Sequence, residues 1–474
     1  MNRPPHDKHF RVLAPARAYG VMIAVSGLLL ALGLALPLLL ASSASSGIGA
    51  GHASSGPIKV SGGNVGPTRK PSATTTSSLD SIPETAQGIT PTTIKVGVVL
   101  LDLSSVAPLG LGLPNYEINV QQAAFDSLFD AINAQGGIEG RKIVPVYKSR
   151  DTLATTGPHS DKAICIDLAK DQKVFAVIGF SYGAGECAAT EYHLPVVTKD
   201  ASLQQVYQDS HNLLVTLDPA LEREERDWAD ALVKAGMADG HKLGMVTVAD
   251  GGSTQLPAEA AADELKALGH PLTVLGELDP SNSIAEIPPL IQKMKSAGVD
   301  SVMLASDFAD ALRFIALAES QHYYPKYLTS DLGALASNGL LANAGRSFDD
   351  AIGFTDGVNP LAGEVETAQS RTCRENYNKT TATKDIPAGQ DSALDTICSI
   401  VAVFKQAATA AGKNLNPRSF IGAVEHAGTM NGISVVLPGS FGPGKTDYSD
   451  ALQPVRWSSA KKAYSADGDP VIGN

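Results

Sequence analysis

The stretch "DAINAQGGIEGRKIVPVY", Asp130 to Tyr147, joins a helix to a strand through a glycine turn. Upstream of it, the segment from Ile118 onward places apolar residues along one helical stripe. Gly136 and Gly137 then end the helix as C-cap residues do, and "KIVPVY" follows as a strand. The earlier run "TIKVGVVLL", Thr93 to Leu101, is continuously apolar, which is typical of a strand buried on both faces. The sequence therefore predicts a β-α-β unit that begins near Thr93.

The same alternation of strands and helices continues along the chain. It passes through "VFAVIG" and "LPVVT" and, after Asp218-Pro219 and a charged helix, it starts again at "KLGMVTVAD". A later helix that begins at Ile287 has Pro288 and Pro289 in its first turn, where proline is tolerated. This pattern predicts an α/β fold with two open, parallel, Rossmann-like sheets. Because open sheets bind ligands where their strands end, two facing sheets would form one cleft.

The N-terminal segment, residues 1–41, is predicted to be a signal peptide or a membrane anchor. Basic residues precede the apolar run "VMIAVSGLLLALGLALPLLLA", Val21 to Ala41. The run is long enough to span a membrane, whereas Pro37 and the small residues that follow suit a cleavage region, so both alternatives stay open. Residues 42–91 are rich in Ser, Gly, Thr and Pro, which predicts a disordered linker. Everything after Ala41 is expected outside the cytoplasm, in the periplasm or at the cell surface.

The net charge and the cysteines indicate which partners and which covalent links to expect. The formal net charge is −12 and no basic cluster occurs, so we expect no nucleic-acid partner. We also expect no cofactor. An even set of cysteines in an exported chain indicates disulfides, and the two local pairs would close loops of similar size. The alternative of a metal site lacks any C-x-x-C spacing, so we expect no metal. The four cysteines are Cys165, Cys187, Cys373 and Cys398.

One motif raises the alternative of an enzyme. Gly179 to Gly183 fits G-x-S-x-G, the turn that carries the nucleophile of serine hydrolases, with Ser181 as the serine. Asp331 and His426 follow in the chain order of a hydrolase triad, yet His426 lies in a predicted helix end and no HGGG-type segment precedes the serine. The same turn can hold a ligand's carboxylate at a helix N-terminus without any chemistry. We therefore expect no catalytic residues.

Three segments resemble a known family. They are "DAINAQGGIEGRKIVPVY", "VFAVIGFSYGAGECAATEYHLPVVT" (Val174 to Thr198) and "SAGVDSVMLAS" (Ser296 to Ser306). Together they look like the branched-chain amino acid binding proteins of ABC transporters, which have the type I periplasmic-binding fold. The resemblance implies one domain, residues 92–474, whose lobes are joined by a three-crossover hinge. It places lobe 1 at about 92–217 and 358–430 and lobe 2 at about 218–357 and 431–474, with a disulfide between Cys165 and Cys187.

The resemblance also implies where a ligand would bind. A ligand carboxylate would meet hydroxyls and backbone N–H groups after two strands of lobe 1, and its ammonium group would meet an acidic residue, Asp331, in lobe 2. The lobe 1 positions are Ser181, Tyr182, Gly183, Asp200, Ala201 and Ser202. The lobe 2 wall would be completed by Ser253, Thr254, Asp307 and Phe308.

Several of these predicted ligand contacts also have a purely structural interpretation. Asp331 fits a turn or helix cap, Asp307 a helix entry, Ser202 an N-cap and Phe308 a core position. The loop "LDLSSVAPLGLGLPNYE", Leu101 to Glu117, departs from the family's short glycine-containing loop, and Lys199-Asp200 brings charges where small residues are typical. The expected function is solute binding for an ABC permease, with an amino acid or related amide as the first ligand and a small peptide or aromatic acid as alternatives. A membrane-anchored sensor of the same fold is the alternative function, and a serine hydrolase that uses Ser181 is the remaining one.

Overall fold

The computed structural model describes residues 82, 86–107, 115–336, 344–357, 367–381 and 383–473. The predicted signal or anchor, residues 1–41, lies outside the described residues, as does most of the predicted linker at 42–91. The described residues become continuous at residue 86, before the first predicted strand.

The first sheet contains five parallel strands in the order β2-β1-β3-β4-β5. The strands are β1 (Thr93–Asp102), β2 (Lys142–Asp151), β3 (Ala176–Gly179), β4 (Val196–Thr198) and β5 (Leu214–Thr216). The helices between them are α1 (Ile118–Ala134), α2 (Asp161–Ile166), α3 (Tyr182–Tyr192) and α4 (Gln204–Asp209). This part of the fold confirms the parallel sheet predicted from the alternation of strands and helices.

The glycine turn after α1 has the geometry predicted for it. Gly137 has φ +74°, and a Cβ at this position would lie 2.1 Å from the carbonyl oxygen of Arg141. The Ile138 N–H donates to the same carbonyl at 2.8 Å, which closes the turn and directs the chain into β2. A residue with a side chain would clash here, so the turn requires glycine.

The second sheet has eight strands, with β12-β11-β10-β9-β8-β6-β7 along the sheet and β13 paired to β11. The strands β6 to β10 run parallel and the later ones antiparallel. The strands are β6 (Leu243–Val248), β7 (Val274–Leu278), β8 (Ser301–Leu304), β9 (Lys326–Thr329), β10 (Ile352–Thr355), β11 (Ala451–Ser458), β12 (Ala463–Ala466) and β13 (Val471–Ile472). The helices are α5 (Leu221–Lys234), α6 (Gln255–Ala267), α7 (Ser283–Ala297) and α8 (Phe308–Ser320).

One expectation about α7 was wrong. The helix begins at Ser283, four residues before Ile287, so Pro288 and Pro289 lie inside it and not in its first turn. The Ser283 hydroxyl donates to Asp310 of α8 at 2.9 Å, a contact between helices that no local sequence pattern indicates.

Three more helices complete the first lobe, by which we mean the first sheet and the helices packed on it. They are α9 (Ala368–Thr380), α10 (Ser392–Ala411) and α11 (Pro417–Glu425). Ile397, Phe404 and Phe420 lie in the same apolar core as β1 and β3, and Phe441 and Tyr448 of the later chain join that core. The second lobe is the second sheet with α5 to α8.

The chain crosses between the lobes three times, as the resemblance implies. It passes from β5 to α5, from β10 back to α9, and from the segment after α11 to β11. Within the described residues, one helical segment, Ser392–Asn414, is long and apolar enough to span a membrane. Of its apolar window, 67% is buried inside the fold, which fits the central packing helix of the first lobe.

Two disulfides brace the first lobe, and they confirm the two local cysteine pairs. Cys165–Cys187 joins α2 to α3, and Cys373–Cys398 joins α9 to α10, with Cα–Cα distances of 6.1 and 6.3 Å. The bridges span 22 and 25 residues of sequence, so each restricts the unfolded chain to a similar degree.

Removing one bridge should destabilise the protein measurably. We expect the double variant Cys373→Ala/Cys398→Ala to lose roughly 3 kcal/mol in the free energy of unfolding, because the unfolded chain regains loop entropy. Urea unfolding of the full chain, followed by circular dichroism, measures the change. The oxidised wild-type protein is the control, and a loss below about 1 kcal/mol would contradict a stabilising role.

Candidate ligand cleft

A cavity of about 80 Å³ lies where the two lobes meet. Tyr116 and Lys199 reach it from the first lobe, and Asp331 and Asp356 from the second. Leu217, Gly357 and Ser434, which belong to the crossovers or adjoin them, also line it. The carboxyl ends of both sheets therefore face one space, as expected for open parallel sheets.

Lys199 follows β4 and pairs with Asp218 of the first crossover. Its Nζ lies 2.7 Å from each carboxylate oxygen of Asp218. Burial alone would lower the pKa of the Lys199 ammonium group, but the negative charges of Asp218, Asp356 and Asp331 raise that pKa well above its ordinary value. The lysine is therefore held in its charged form across the ordinary pH range.

Asp331 follows β9 and is held by two donors. Its Oδ2 accepts hydrogen bonds from the Thr355 hydroxyl at 2.8 Å and from the Asp356 backbone N–H at 2.9 Å. Burial raises the pKa of Asp331, while the charge of Lys199 and the Thr355 hydrogen bond lower it. The two donors fix the carboxyl group at the cavity wall, so it is placed to accept from a ligand.

Asp356 is the second acidic residue on this wall. Its side chain is 1% exposed, and neither carboxylate oxygen has a hydrogen-bond partner in the described part of the chain. Burial, followed by the negative charge of Asp218, raises the pKa of Asp356 well above its ordinary value. A buried acceptor without a donor is costly, which makes this position a candidate for ligand contact.

Two more acidic side chains lie behind Asp331, in the first two turns of α5. Glu224 and Glu225 are both buried. Burial raises the pKa of Glu225 to about 8, with the Ser330 hydroxyl acting in the opposite direction. Burial also raises the pKa of Glu224 well above its ordinary value, and the charges of Asp331 and Asp356 add to the effect. Two buried carboxyl groups thus lie behind the cavity wall, and their raised pKa values favour the protonated form.

The predicted residues after β3 contact one another and their own lobe. Ser181 is 0% exposed, and its Oγ has no hydrogen-bond partner among the described residues. A Cβ at Gly185 would lie 2.3 Å from that Oγ, so the serine points toward the next turn of α3. Tyr182 adopts φ +40°, and the Arg150 guanidinium lies 4.4 Å from its ring centroid.

Protein carboxylates lie close to this turn. A Cβ at Gly183 would come within 2.9 Å of Asp161, whose Oδ1 lies 2.6 Å from Nε of Arg150. After β4, Asp200 accepts from the Thr198 hydroxyl at 3.2 Å, and burial, followed by the charge of Asp218, raises the pKa of Asp200 to about 6.

The hydroxyl of Ser202 is also occupied within the first lobe. It donates to Oε1 of Glu186 in α3 at 2.5 Å. Ala201, between Asp200 and Ser202, is half-buried. Of the six residues predicted for the first lobe, none is among the described residues that line the cavity.

The predicted wall of the second lobe lies at two helix starts. Ser253 is exposed, and the Thr254 N–H donates to Asp250 at 3.1 Å just before α6. Asp307 accepts from two backbone N–H groups and caps α8, which is the plainer of its two interpretations. Phe308 packs against the apolar core of the second lobe. Among the described lining residues, Asp331 is the one predicted ligand contact that reaches the cavity.

The cavity residues that the sequence did not indicate follow two short strands. Asp218 comes after the three-residue strand β5, and Thr355 and Asp356 lie at the end of the four-residue strand β10. Neither strand was predicted. The rule that ligands bind where strands end would have found both aspartates if the strands had been recognised.

The buried glutamate behind the wall should make stability depend on pH. The pKa of Glu225 rises from 4.5 to about 8 on folding, so the folded state retains a proton that the unfolded chain releases. The stabilising contribution is present below about pH 4.5 and is lost as the pH rises through about 8, at roughly 1.4 kcal/mol per pH unit between these values. Glu225→Gln should remove this part of the slope.

Urea unfolding at pH 5, 6.5 and 8 measures the difference between Glu225→Gln and the wild type. We expect the variant's relative stability to increase steadily with pH. Glu139→Gln changes the same chemical group at an exposed position and should leave the slope unchanged. Parallel pH profiles for the wild type and Glu225→Gln would contradict the shifted pKa.

Comparison with solved structures gives many similar folds. A putative branched-chain amino acid ABC transporter from Rhodospirillum rubrum is 17% identical, with 79% of this chain and 100% of that chain covered and a TM-score of 0.54. A solute-binding protein of an ABC transporter from R. palustris, in complex with 4-hydroxybenzoate, is 19% identical, with 80% and 97% covered and a TM-score of 0.57. A branched-chain amino acid ABC transporter from Thermus thermophilus with bound valine is 12% identical, with 81% and 97% covered and a TM-score of 0.58.

Sequence comparison identifies the family. No curated protein matches the chain. The family model described as periplasmic binding protein matches residues 93–463, which include both sheets and all three crossovers. The chain therefore belongs to the periplasmic binding protein family.

Proposed function

We propose that the two lobes close on a small ligand, an amino acid or a related amide, and deliver it to an ABC permease. The observation that carries this proposal is Asp331, which is held at the cavity by Thr355 and by the Asp356 N–H. An ammonium or amide nitrogen donates hydrogen bonds, and a carboxyl group fixed in place accepts them at little cost in side-chain entropy.

The size of the cavity supports a hinge motion. Ligand pockets usually measure about 300–1,000 Å³, whereas this cavity measures about 80 Å³. A ligand the size of an amino acid therefore requires the lobes to separate. Leu217, Gly357 and Ser434 line the cavity and lie in or next to the three crossovers, so rotation about these segments would open it.

The ligand contacts predicted at residues other than Asp331 remain untested. Ser181 to Gly183 and Asp200 to Ser202 would approach a ligand from the first lobe, and Ser253, Thr254, Asp307 and Phe308 from the second. Among the described residues their side chains contact their own lobes, so we propose that they act on a ligand through lobe movement or through backbone N–H groups.

The N-terminal segment bears on the alternative function. The apolar run Val21 to Ala41 is long enough for a membrane anchor, and an anchored protein of this fold could act as a ligand sensor and not as a transport protein. Mass spectrometry of the exported protein distinguishes a cleaved signal peptide from a retained anchor.

Ligand binding should raise the melting temperature. We expect at least one compound in a screen of amino acids, amides and aromatic acids to stabilise the full chain by mass action, by about 2.7 kcal/mol at a concentration of 100 Kd. Asp331→Ala should abolish the shift for compounds that carry an amine, because the acceptor for the amine is lost. Differential scanning fluorimetry measures both effects.

The exposed variant Asp263→Ala, on α6, is the matched control and should bind as the wild type does. If no compound shifts the melting temperature while a serine-directed phosphonate labels Ser181, the protein is a hydrolase and the proposed function is wrong.

A further inference from the structure

Carboxyl groups outnumber cationic groups among the described residues of the cavity wall. Four carboxyl groups line the cavity, from Asp218, Asp331, Asp356 and Asp395, and Lys199 is the cationic side chain among the described lining residues. Glu224 and Glu225 add further carboxyl groups directly behind. A ligand whose own charges cancel would leave this imbalance in place.

Lys199 is already committed to one of these carboxyl groups. Both oxygens of Asp218 lie 2.7 Å from its Nζ, so the ammonium group has the geometry of an ion pair with that residue. Its charge acts on Asp331 and Asp356 through space, without a hydrogen bond to either among the described residues. The second-lobe wall therefore presents two carboxyl groups with no cation bonded to them.

Asp356 is the observation that points to a ligand. The side chain is almost completely buried and lines the cavity, and among the described residues the group that reaches its oxygens is the adjacent carboxyl of Asp331, which is itself an acceptor when ionised. Its backbone N–H already holds Asp331, so the two carboxyl groups are fixed side by side. One ammonium group can satisfy Asp331, and a second donor is needed for Asp356.

Around the first-lobe turn predicted to hold a ligand carboxylate, the cationic group found among the described residues, Arg150, is already paired. Arg150 forms two hydrogen bonds to Asp161, and Asp200 lies near the hydroxyl of Tyr182. Both acidic residues come close to the turn at which a ligand carboxylate was expected. The electrostatic environment on both sides thus favours positive over negative ligand groups.

We propose that the ligand carries two positively charged nitrogen groups, one bound by Asp331 and the other by Asp356, as in a dibasic amino acid or a diamine. This inference rests on the proposed function of the same cleft and narrows its ligand class. Asp331 acts as the acceptor for the first cation, and Asp356 distinguishes dibasic ligands from neutral ones of the same shape.

Calorimetric titration of the full chain with three probes tests the assignment. Lysine has two ammonium groups, norleucine has a similar side chain without the second one, and cadaverine has both without the carboxylate. We expect lysine to bind at least about 10-fold more tightly than norleucine, because each additional charge-assisted hydrogen bond contributes on the order of one factor of ten. Cadaverine should bind as well as lysine or better.

Substitutions at Asp356 test the role of its carboxyl group separately from that of Asp331. Asp356→Asn should reduce the affinity for lysine to within about threefold of the affinity for norleucine measured with the same variant. Asp356→Glu keeps the charge and should retain the preference. The control Asp263→Asn changes a charge on the exposed face of α6 and should alter neither affinity. Circular dichroism establishes that each variant is folded before its titration.

The possible results distinguish this inference from the proposed function. If norleucine or another neutral ligand binds as tightly as lysine, or if Asp356→Asn leaves the preference intact, the dibasic assignment is wrong and the solute-binding function stands. If lysine, cadaverine and norleucine fail to bind while an amide or an aromatic acid binds, the assignment is again wrong. If no amino acid, amine, amide or aromatic acid binds, the proposed function itself fails.

Discussion

Buried carboxyl groups, faced by one lysine among the described lining residues, are the constraint on which the cleft depends. The Lys199–Asp218 pair joins the end of β4 to the first crossover, and the charge of Lys199 also offsets Asp331 and Asp356 across the cavity. Buried carboxyl groups without partners cost free energy, so the second-lobe wall is stabilised when a donor arrives. Under the proposed function the donor groups of a ligand would lie between both walls, which would couple ligand binding to closure of the lobes.

The fold places these groups by simple rules. Parallel strands end at the same edge of each sheet, and three crossovers bring the two edges to one cavity. Both disulfides lie within the first lobe, where they join helices to their neighbours. Neither bridge links a crossover, an arrangement compatible with the proposed hinge motion.

Much of the fold could be predicted from the sequence, because long apolar strands and striped helices carry strong local signals. The strand that starts at Thr93 and the glycine turn at Gly137 are examples. The cavity was harder, because Asp218 and Asp356 follow strands of three and four residues that produce no detectable period. The start of α7 at Ser283 depends on a contact with α8, and the occupied hydroxyl of Ser202 depends on Glu186; both contacts are formed only by tertiary packing.

The proposed function requires the lobes to separate before a ligand enters, since an amino acid could not pass into the cavity of about 80 Å³. Small-angle X-ray scattering of the full chain tests this most directly, in the absence of ligand and with the compound that raises the melting temperature most. The radius of gyration should decrease on binding and stay larger in Asp331→Ala at the same ligand concentration. An unchanged radius under conditions of saturated binding would contradict closure of the two lobes.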